Sequence, residues 1–201
     1  MNMKWLLSLS AITFLSLWLF VAISDAQEVP SELVAFITNT EGDEIGTISF
    51  GEVTDEIIRN MDLPKETSRS ILIMVRVEGL TPGFHGLHIH SVGVCEPSDE
   101  RAFASSGGHL ALEGQLHPDH EGDLPSLLVL ENGVAVSMFV TDRFTLEDLV
   151  DLDGSAVIVH ATADNFANIP VDRYDPLVDE TTLATGDSGG RVACGVIAEA
   201  P

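Results

Sequence analysis

The stretch SLLVLENGVAVSMFV, residues 126–140, contains the clearest fold information in this chain. Two apolar runs flank Asn132-Gly133, a dipeptide that suits the type I′ turn of a β-hairpin. The stretch therefore predicts two antiparallel strands joined by a tight turn.

Further strand-like segments lie on both sides of this hairpin. They are short, rich in β-branched residues and bounded by Gly, Pro and Asp, as is typical of strands. They cover residues 32–40, 45–53, 70–80, 84–93, 155–161 and 191–200. About eight short strands predict an all-β, antiparallel sandwich or barrel.

Four segments interrupt this pattern. Residues 55–69 are expected to form a surface excursion with a short helix. The segments 95–125, 141–153 and 162–190 have no clear periodicity. Long irregular loops in a compact domain are usually functional, so we expect the functional site there.

The first residues are typical of a secretory signal peptide. Lys4 precedes an apolar run, and Ser24-Asp25-Ala26 supplies small residues after it. We expect a signal peptide over 1–26 and one domain over 27–201, exported to the periplasm or the extracellular space. An uncleaved membrane anchor is the alternative, because the run approaches the ~18–20 residues that span a bilayer. After cleavage no stable membrane association is expected.

The chain has two cysteines, Cys95 and Cys194. In an oxidising compartment an even pair predicts one disulfide, with two free buried thiols as the alternative.

The charge balance excludes one class of partner. Nine basic and 32 acidic residues give a net charge of −23. Nucleic acid is excluded, because phosphate binding requires positive charge. An acid-rich surface also favours solubility in salt, so a saline habitat and an ordinary acidic secreted protein are both open.

All seven histidines lie between residues 85 and 160. His88 and His90 are two apart on a predicted strand, so they share a face and can bind one ion. His85 is offset by an odd number. We expect it to support a ligand's other ring nitrogen rather than to bind the metal.

Two metal sites are consistent with the remaining spacings. Three imidazoles and one carboxylate suit zinc, and they are available at His109, His117, His120 and Asp123. A polar loop with incidental histidines is the alternative. An all-nitrogen site suits copper, and would take His88, His90, His160 and one further imidazole. Six histidines fill four copper and three zinc positions only if one imidazole bridges the two metals.

The motifs GFHGLHIH, GGH, HEGDL, VIVHATAD and GDSGGRVACGV resemble those of copper/zinc superoxide dismutases. They occur in the order found in that family, and the resemblance extends from about residue 33 to 199. The segment ADNFANIPVDRY followed by DETTLATGDSGG is similar to the bacterial, exported branch. The resemblance implies an eight-stranded Greek-key β-barrel or sandwich with long functional loops.

The resemblance also implies a role for each site residue. The copper ligands would be His88, His90, His109 and His160, and the zinc ligands would be His109, His117, His120 and Asp123. His109 is then the bridging imidazolate, which would release copper in the reduced state and carry a proton. Asp164 would link ligands of the two metals, and Arg191 would orient superoxide. Cys95 and Cys194 would form the family disulfide.

The implied reaction has two steps. Superoxide reduces Cu(II) and leaves as dioxygen, and a second superoxide reoxidises Cu(I) and takes up protons to become hydrogen peroxide. The alternatives are a non-catalytic copper- and zinc-binding protein on the same barrel and a copper-only dismutase that lacks zinc. The sequence leaves open whether the chain forms a homodimer.

Two positions depart from the family pattern. The interval between His117 and His120 is shorter than usual, so the zinc loop is trimmed. Ala184 precedes Thr185-Gly186 at a place where many relatives carry lysine. The anionic substrate therefore approaches a strongly acidic chain that lacks the lysine of many relatives.

Overall fold

The computed structural model describes residues 33–97, 100–170, 172 and 178–201. The predicted signal peptide over 1–26 lies outside the described residues. Nine strands lie within them: β1 Leu33–Asn39, β2 Glu44–Glu52, β3 Ile71–Val77, β4 Gly83–His85, β5 Leu87–His90, β6 Leu127–Val129, β7 Ala135–Thr141, β8 Ala156–His160 and β9 Arg191–Glu199. Every strand pair is antiparallel, which confirms the predicted all-β class.

The strands form a curled sheet closed by a small second one. The larger sheet has the order β5-β8-β9-β1-β2-β3-β7, and the smaller sheet pairs β4 with β6. Only Gly86 separates β4 from β5, so these two strands are one extended segment that changes sheets, and eight segments result. Crossover connections place β9 beside β1 and β7 beside β3, as in Greek-key barrels.

The main core lies inside this barrel. Inward-facing residues of β1 alternate with more exposed ones, as expected for a strand with one buried face. Ala35, Ile37, Ile48, Phe50 and Ile73 are fully buried within it. The strands that carry three of the four predicted copper ligands, β5 and β8, are buried along their whole length.

The predicted tight turn joins β6 to β7, but the two strands pair with β4 and β3 in different sheets, and the turn is not of the predicted type I′. Gly133 has φ 79°, but Asn132 is not among the residues with positive φ, and type I′ requires both. Gly133 N donates to Leu130 O and Leu130 N to Val134 O, each at 2.9 Å. The loop therefore has three residues with glycine in the left-handed position, an arrangement that the Asn-Gly dipeptide also permits.

Two short α-helices accompany the strands. Helix α1, Asp55–Met61, lies in the predicted surface excursion. Helix α2, Glu180–Thr185, was not predicted, although Asp179 accepts from Thr182 N at its start and Gly186 follows its end in a left-handed conformation. Within the described ranges no helix has both the length and the apolar character needed to cross a bilayer.

Candidate metal centre

The predicted ligands gather at the outer edge of β5. His88 and His90 belong to that strand, and His160 ends its neighbour β8. Isolated bridges pair His88 with Asp123 and His90 with His109. The irregular segment predicted over 95–125 therefore returns along β5. It places His109 and Asp123 beside the two histidines of that strand.

Four imidazoles form a first group, which we call the nitrogen group: His88, His90, His109 and His160. One ligand atom from each lies within 4.8 Å of the others. His88 and His90 contribute from the same face of β5, as their spacing predicted. The ring centroids of His88 and His109 are 4.0 Å apart, and those of His88 and His160 are 4.7 Å apart.

One nitrogen of each ring in the nitrogen group contacts a protein oxygen. The contacts are His88 Nε2 with Asp164 Oδ2 at 2.7 Å, His90 Nδ1 with Gly107 O at 2.9 Å, His109 Nδ1 with Asp123 Oδ1 at 2.7 Å and His160 Nδ1 with Gly189 O at 3.0 Å. The other nitrogens are buried and have no hydrogen-bond partner among the described residues: His88 Nδ1, His90 Nε2, His109 Nε2 and His160 Nε2. Buried polar atoms without partners are costly, and an all-nitrogen donor set explains them as a site that suits copper.

A second group, which we call the mixed group, consists of the predicted zinc ligands His109, His117, His120 and Asp123. The set whose ligand atoms all lie within 4.8 Å of one another contains His88 in place of His120. Asp123 Oδ1 lies 2.7 Å from His109 Nδ1, while Oδ2 lies 3.0 Å from His117 Nδ1 and 3.1 Å from His120 Nδ1. The close approach of Asp123 Oδ2 to His117 Nδ1 is compatible with both atoms binding one cation. Three nitrogens and one carboxylate are a donor set that zinc takes in closed sites.

His109 belongs to both groups. Its Nε2 has no hydrogen-bond partner among the described residues, and its Nδ1 lies 3.3 Å from His120 Nδ1 in the mixed group. The side chain is 4% exposed. One ring can therefore join two metal ions, as the count of six histidines requires.

Asp164 connects the two groups from outside. Its Oδ2 lies 2.7 Å from His88 Nε2, and its Oδ1 lies 2.8 Å from His117 Nε2. Oδ1 also accepts from the backbone N–H of Phe166 at 2.7 Å. A single buried carboxylate thus orients one ring of each group, an arrangement that typically fixes the tautomer of a metal ligand.

Two residues enclose the contact between Asp164 and His117, and neither was singled out from the sequence. Gly186 has φ 58°, and a Cβ there would lie 2.0 Å from Asp164 Oδ1 and 2.5 Å from His117 Nε2. Phe166 stacks on His117 with centroids 6.3 Å apart, and its φ of 54° is left-handed. A glycine and a strained aromatic therefore shape this contact, and no local sequence pattern distinguishes them.

The two groups differ in the pKa values of their histidines. Burial, together with neighbouring imidazoles, lowers the pKa of His88 to about 4 and that of His160 to about 3, although Asp164 partly opposes the shift at His88. Burial also lowers the pKa of His90 well below its usual value. These three rings are neutral near pH 7, so their free nitrogens are available as ligands.

His117, in the mixed group, holds a proton more tightly than these three rings of the nitrogen group do. Burial works against a charged His117, but the carboxylates of Asp123 and Asp164 outweigh it and raise its pKa to about 9. Burial alone would raise the pKa of both carboxyls, yet their histidine partners hold each well below its usual range. In the metal-free state a proton on His117 therefore takes the place of a cation.

An open cleft of about 520 Å³ leads to the nitrogen group and is lined by His90, His109 and His160. Arg191 and Arg101 also line it, as do Asp187 and Ala184. Arg101 was not predicted as a site residue, because it lies in an irregular loop with no recognisable motif. Two cations and one carboxylate therefore face an anion that enters this cleft.

The position of Arg191 is set by the loop that follows Cys95. Its Nη1 donates to Phe103 O and to Ser106 Oγ, and its Nη2 donates to Gly107 O at 2.6 Å. A disulfide joins Cys95 to Cys194 on β9, which confirms the predicted pairing and excludes free thiols. Backbone and disulfide together hold the guanidinium beside the cleft.

His85 does not play the predicted part. Its Nδ1 donates to the backbone carbonyl of His160 at 2.6 Å, and its Nε2 lies 2.8 Å from Thr81 O. The second nitrogens of the ligand rings are already engaged by Asp164, Gly107, Asp123 and Gly189. His85 therefore anchors the backbone of a predicted ligand instead of its ring.

Comparison with known proteins gives one consistent family. The family described as copper/zinc superoxide dismutase matches residues 59–197. The Cu-Zn superoxide dismutase of Mycobacterium tuberculosis is 52% identical over 130 residues, covering 59% of this chain and 54% of that protein. That of Escherichia coli K12 is 36% identical over 142 residues, covering 66% and 74%. This chain spans about half the length of the mycobacterial relatives it matches.

Solved structures agree on the fold. A SOD-like protein from Bacillus subtilis is 27% identical, with a TM-score of 0.59 over 81% of this chain and 96% of that one. The clock protein EA4 is also 27% identical, with a TM-score of 0.62 over 85% and 96%. Since proteins with different names share this fold, the activity must be argued from the site.

Proposed function

The chain belongs to the copper/zinc superoxide dismutase family, and on that premise we propose that it is a dismutase. It would convert two superoxide anions and two protons into dioxygen and hydrogen peroxide. The observation that carries the proposal is the set of four buried imidazole nitrogens without protein partners beside a cleft that contains Arg191.

In this proposal each group binds one metal. Copper is held by His88, His90, His109 and His160, and zinc by His109, His117, His120 and Asp123. When bound, copper exchanges one electron between Cu(II) and Cu(I), and zinc supplies the fixed positive charge that keeps the shared imidazole in place. The fit rests on the unpartnered nitrogens of the first group and the nitrogen–carboxylate set of the second.

Arg191 binds and orients the anionic substrate. Its guanidinium is fixed by backbone carbonyls, so it presents positive charge to the cleft without having to reorganise when superoxide arrives. Since Arg191 directly follows Gly189-Gly190, no bulky side chain precedes it on the cleft side.

His109 carries a proton to the product. Its Nδ1 is engaged in the mixed group, so Nε2 is the atom that can accept and release a proton at the edge of the cleft. Hydrogen bonds to Asp164, Gly107 and Gly189 keep the other three rings in place while this proton moves.

The experiment is metal analysis and a turnover assay on one sample. The chain is loaded with copper and zinc, the stoichiometry of each is measured, and the second-order rate of superoxide decay is followed after pulse radiolysis. One copper and one zinc with rapid decay support the proposal. If the metals bind but superoxide is not turned over, the proposal is wrong and the chain is the non-catalytic metal-binding protein. Turnover with copper alone and no zinc uptake would indicate the copper-only dismutase.

Export and pairing are further parts of the proposal. The predicted signal peptide supports export to the periplasm or beyond, and mature protein that begins at Gln27 by mass spectrometry would support cleavage after Ala26. A homodimer stays a prediction that sedimentation equilibrium can test.

A further inference from the structure

The loop that joins His117 to His120 is held from outside by Arg143, a residue with no part in the proposed reaction. Arg143 follows β7, and Nη1 of its guanidinium donates to Pro118 O at 2.7 Å and to His120 O at 2.8 Å. Both bonds come from a charged donor and are therefore about twice as strong as neutral ones.

The trimmed loop has other hydrogen bonds as well: Asp119 N donates to Leu116 O at 2.8 Å and His120 N donates to Asp123 Oδ2 at 3.1 Å. Only Pro118 and Asp119 separate its two histidines, and proline has no N–H to donate. The first histidine is tied to helix α2, because His117 N donates to Leu183 O at 2.9 Å. The carbonyl of the second is tied to Arg143 and, more weakly, to Asp123 N at 3.2 Å.

The ring of His120 is buried, but it is less enclosed than that of His117. His120 borders a second open cleft of about 320 Å³, which Leu116 and Leu183 also line. Its side chain is 8% exposed, while that of His117 is fully buried. A ring that is packed on fewer sides depends more on its own backbone for its direction.

We propose that Arg143 is a positioning residue for the zinc site. It holds the carbonyls on both sides of Asp119. The fixed backbone then orients His120 Nδ1 towards the proposed zinc position, which Asp123 would also bind. The inference rests on the zinc-binding role proposed above. Arg143 acts through the loop backbone and serves the zinc site selectively, leaving the copper ligands on β5 and β8 unaffected.

The experiment compares Arg143→Ala and Arg143→Lys with a matched control, Arg59→Ala. Arg59 is an exposed arginine on helix α1, which packs on Leu72 in a separate apolar cluster. Zinc and copper dissociation constants of the metal-free proteins are measured by competition with chromophoric chelators. The visible spectrum of Co²⁺ bound in place of zinc reports the ligand geometry.

Arg143→Ala should weaken zinc binding by about 10–100-fold, the usual effect of removing a group that orients a metal ligand, and should change the Co²⁺ spectrum. Arg143→Lys should recover part of the loss, since an ammonium can still donate to a carbonyl. Copper affinity should stay unchanged in every variant, and Arg59→Ala should match the wild type.

Equal zinc affinity in the wild type and Arg143→Ala would overturn this inference alone. Parallel losses of zinc affinity, copper affinity and melting temperature would overturn it too, because they indicate general destabilisation. A wild-type chain that takes up no zinc would instead refute the proposed zinc site, and the inference with it.

Discussion

Replacing Gly186 with alanine should separate Asp164 from His117. The new Cβ would lie 2.0 Å from Asp164 Oδ1, while ordinary contact begins at 3.4 Å, so the atoms must part by about 1.4 Å. A shift of that size breaks the 2.8 Å hydrogen bond between His117 and Asp164. Losing a bond to a charged group costs ~1.5–3 kcal/mol, and a left-handed alanine costs roughly 1–2 kcal/mol more.

We therefore expect Gly186→Ala to lower the free energy of unfolding of the metal-free protein by about 3 kcal/mol or more. Zinc affinity should fall by about 10–100-fold, because His117 loses the carboxylate that orients it. The matched control is Gly190→Ala, where a Cβ would meet no atom within 4 Å. Denaturant titration and zinc competition measure both effects. If the two variants unfold within about 0.5 kcal/mol of each other, the close-approach argument is wrong.

Three further predictions concern the cleft and the metals. Arg191→Ala should keep its copper but lose at least about tenfold in dismutation rate by pulse radiolysis; an equal rate would remove its proposed role. Added salt should raise this rate or leave it unchanged, because screening over ~8 Å shields distant carboxylates of a chain with net charge −23 more than it shields Arg191. A steep fall with ionic strength would show that a local positive field dominates. In the metal-free protein His117 keeps a proton up to its pKa of about 9, so zinc binding near neutral pH should release about one proton from this ring. Apparent zinc affinity should then rise with pH towards 9, and calorimetry in buffers of different ionisation enthalpy should detect the proton.

Most strands could be predicted because they are local patterns. The run of residues 126–140 contains two strands joined by a tight turn, although they pair in different sheets, and the alternation in β1 matches its buried and exposed faces. The turn type was predicted wrongly and helix α2 was not predicted, because the local sequence is ambiguous in both places. Asn-Gly is compatible with more than one loop, and six residues of α2 are too few to show a helical period.

Some site residues could likewise be predicted from local sequence, and others could not. His88 and His90 were predicted to share a face from their spacing alone, and they do. His85 was misjudged, because the sequence does not show that Asp164, Gly107 and Gly189 already occupy the ligand rings. Arg143 lies in none of the quoted motifs and Gly186 only begins one of them, so their importance is visible only from the atoms that surround them.

The sequence by itself determined the chemistry of this protein, because the donor atoms that select a metal belong to the residue types. Six histidines and one aspartate sufficed to predict two metal sites, and the resemblance to copper/zinc superoxide dismutases added Arg191 and an anionic substrate. The tertiary structure alone decided which nitrogen of each ring is free, what orients it and how substrate reaches it. Those properties depend on contacts between distant residues, such as His88 with Asp164, 76 positions away, and folding alone brings such residues together.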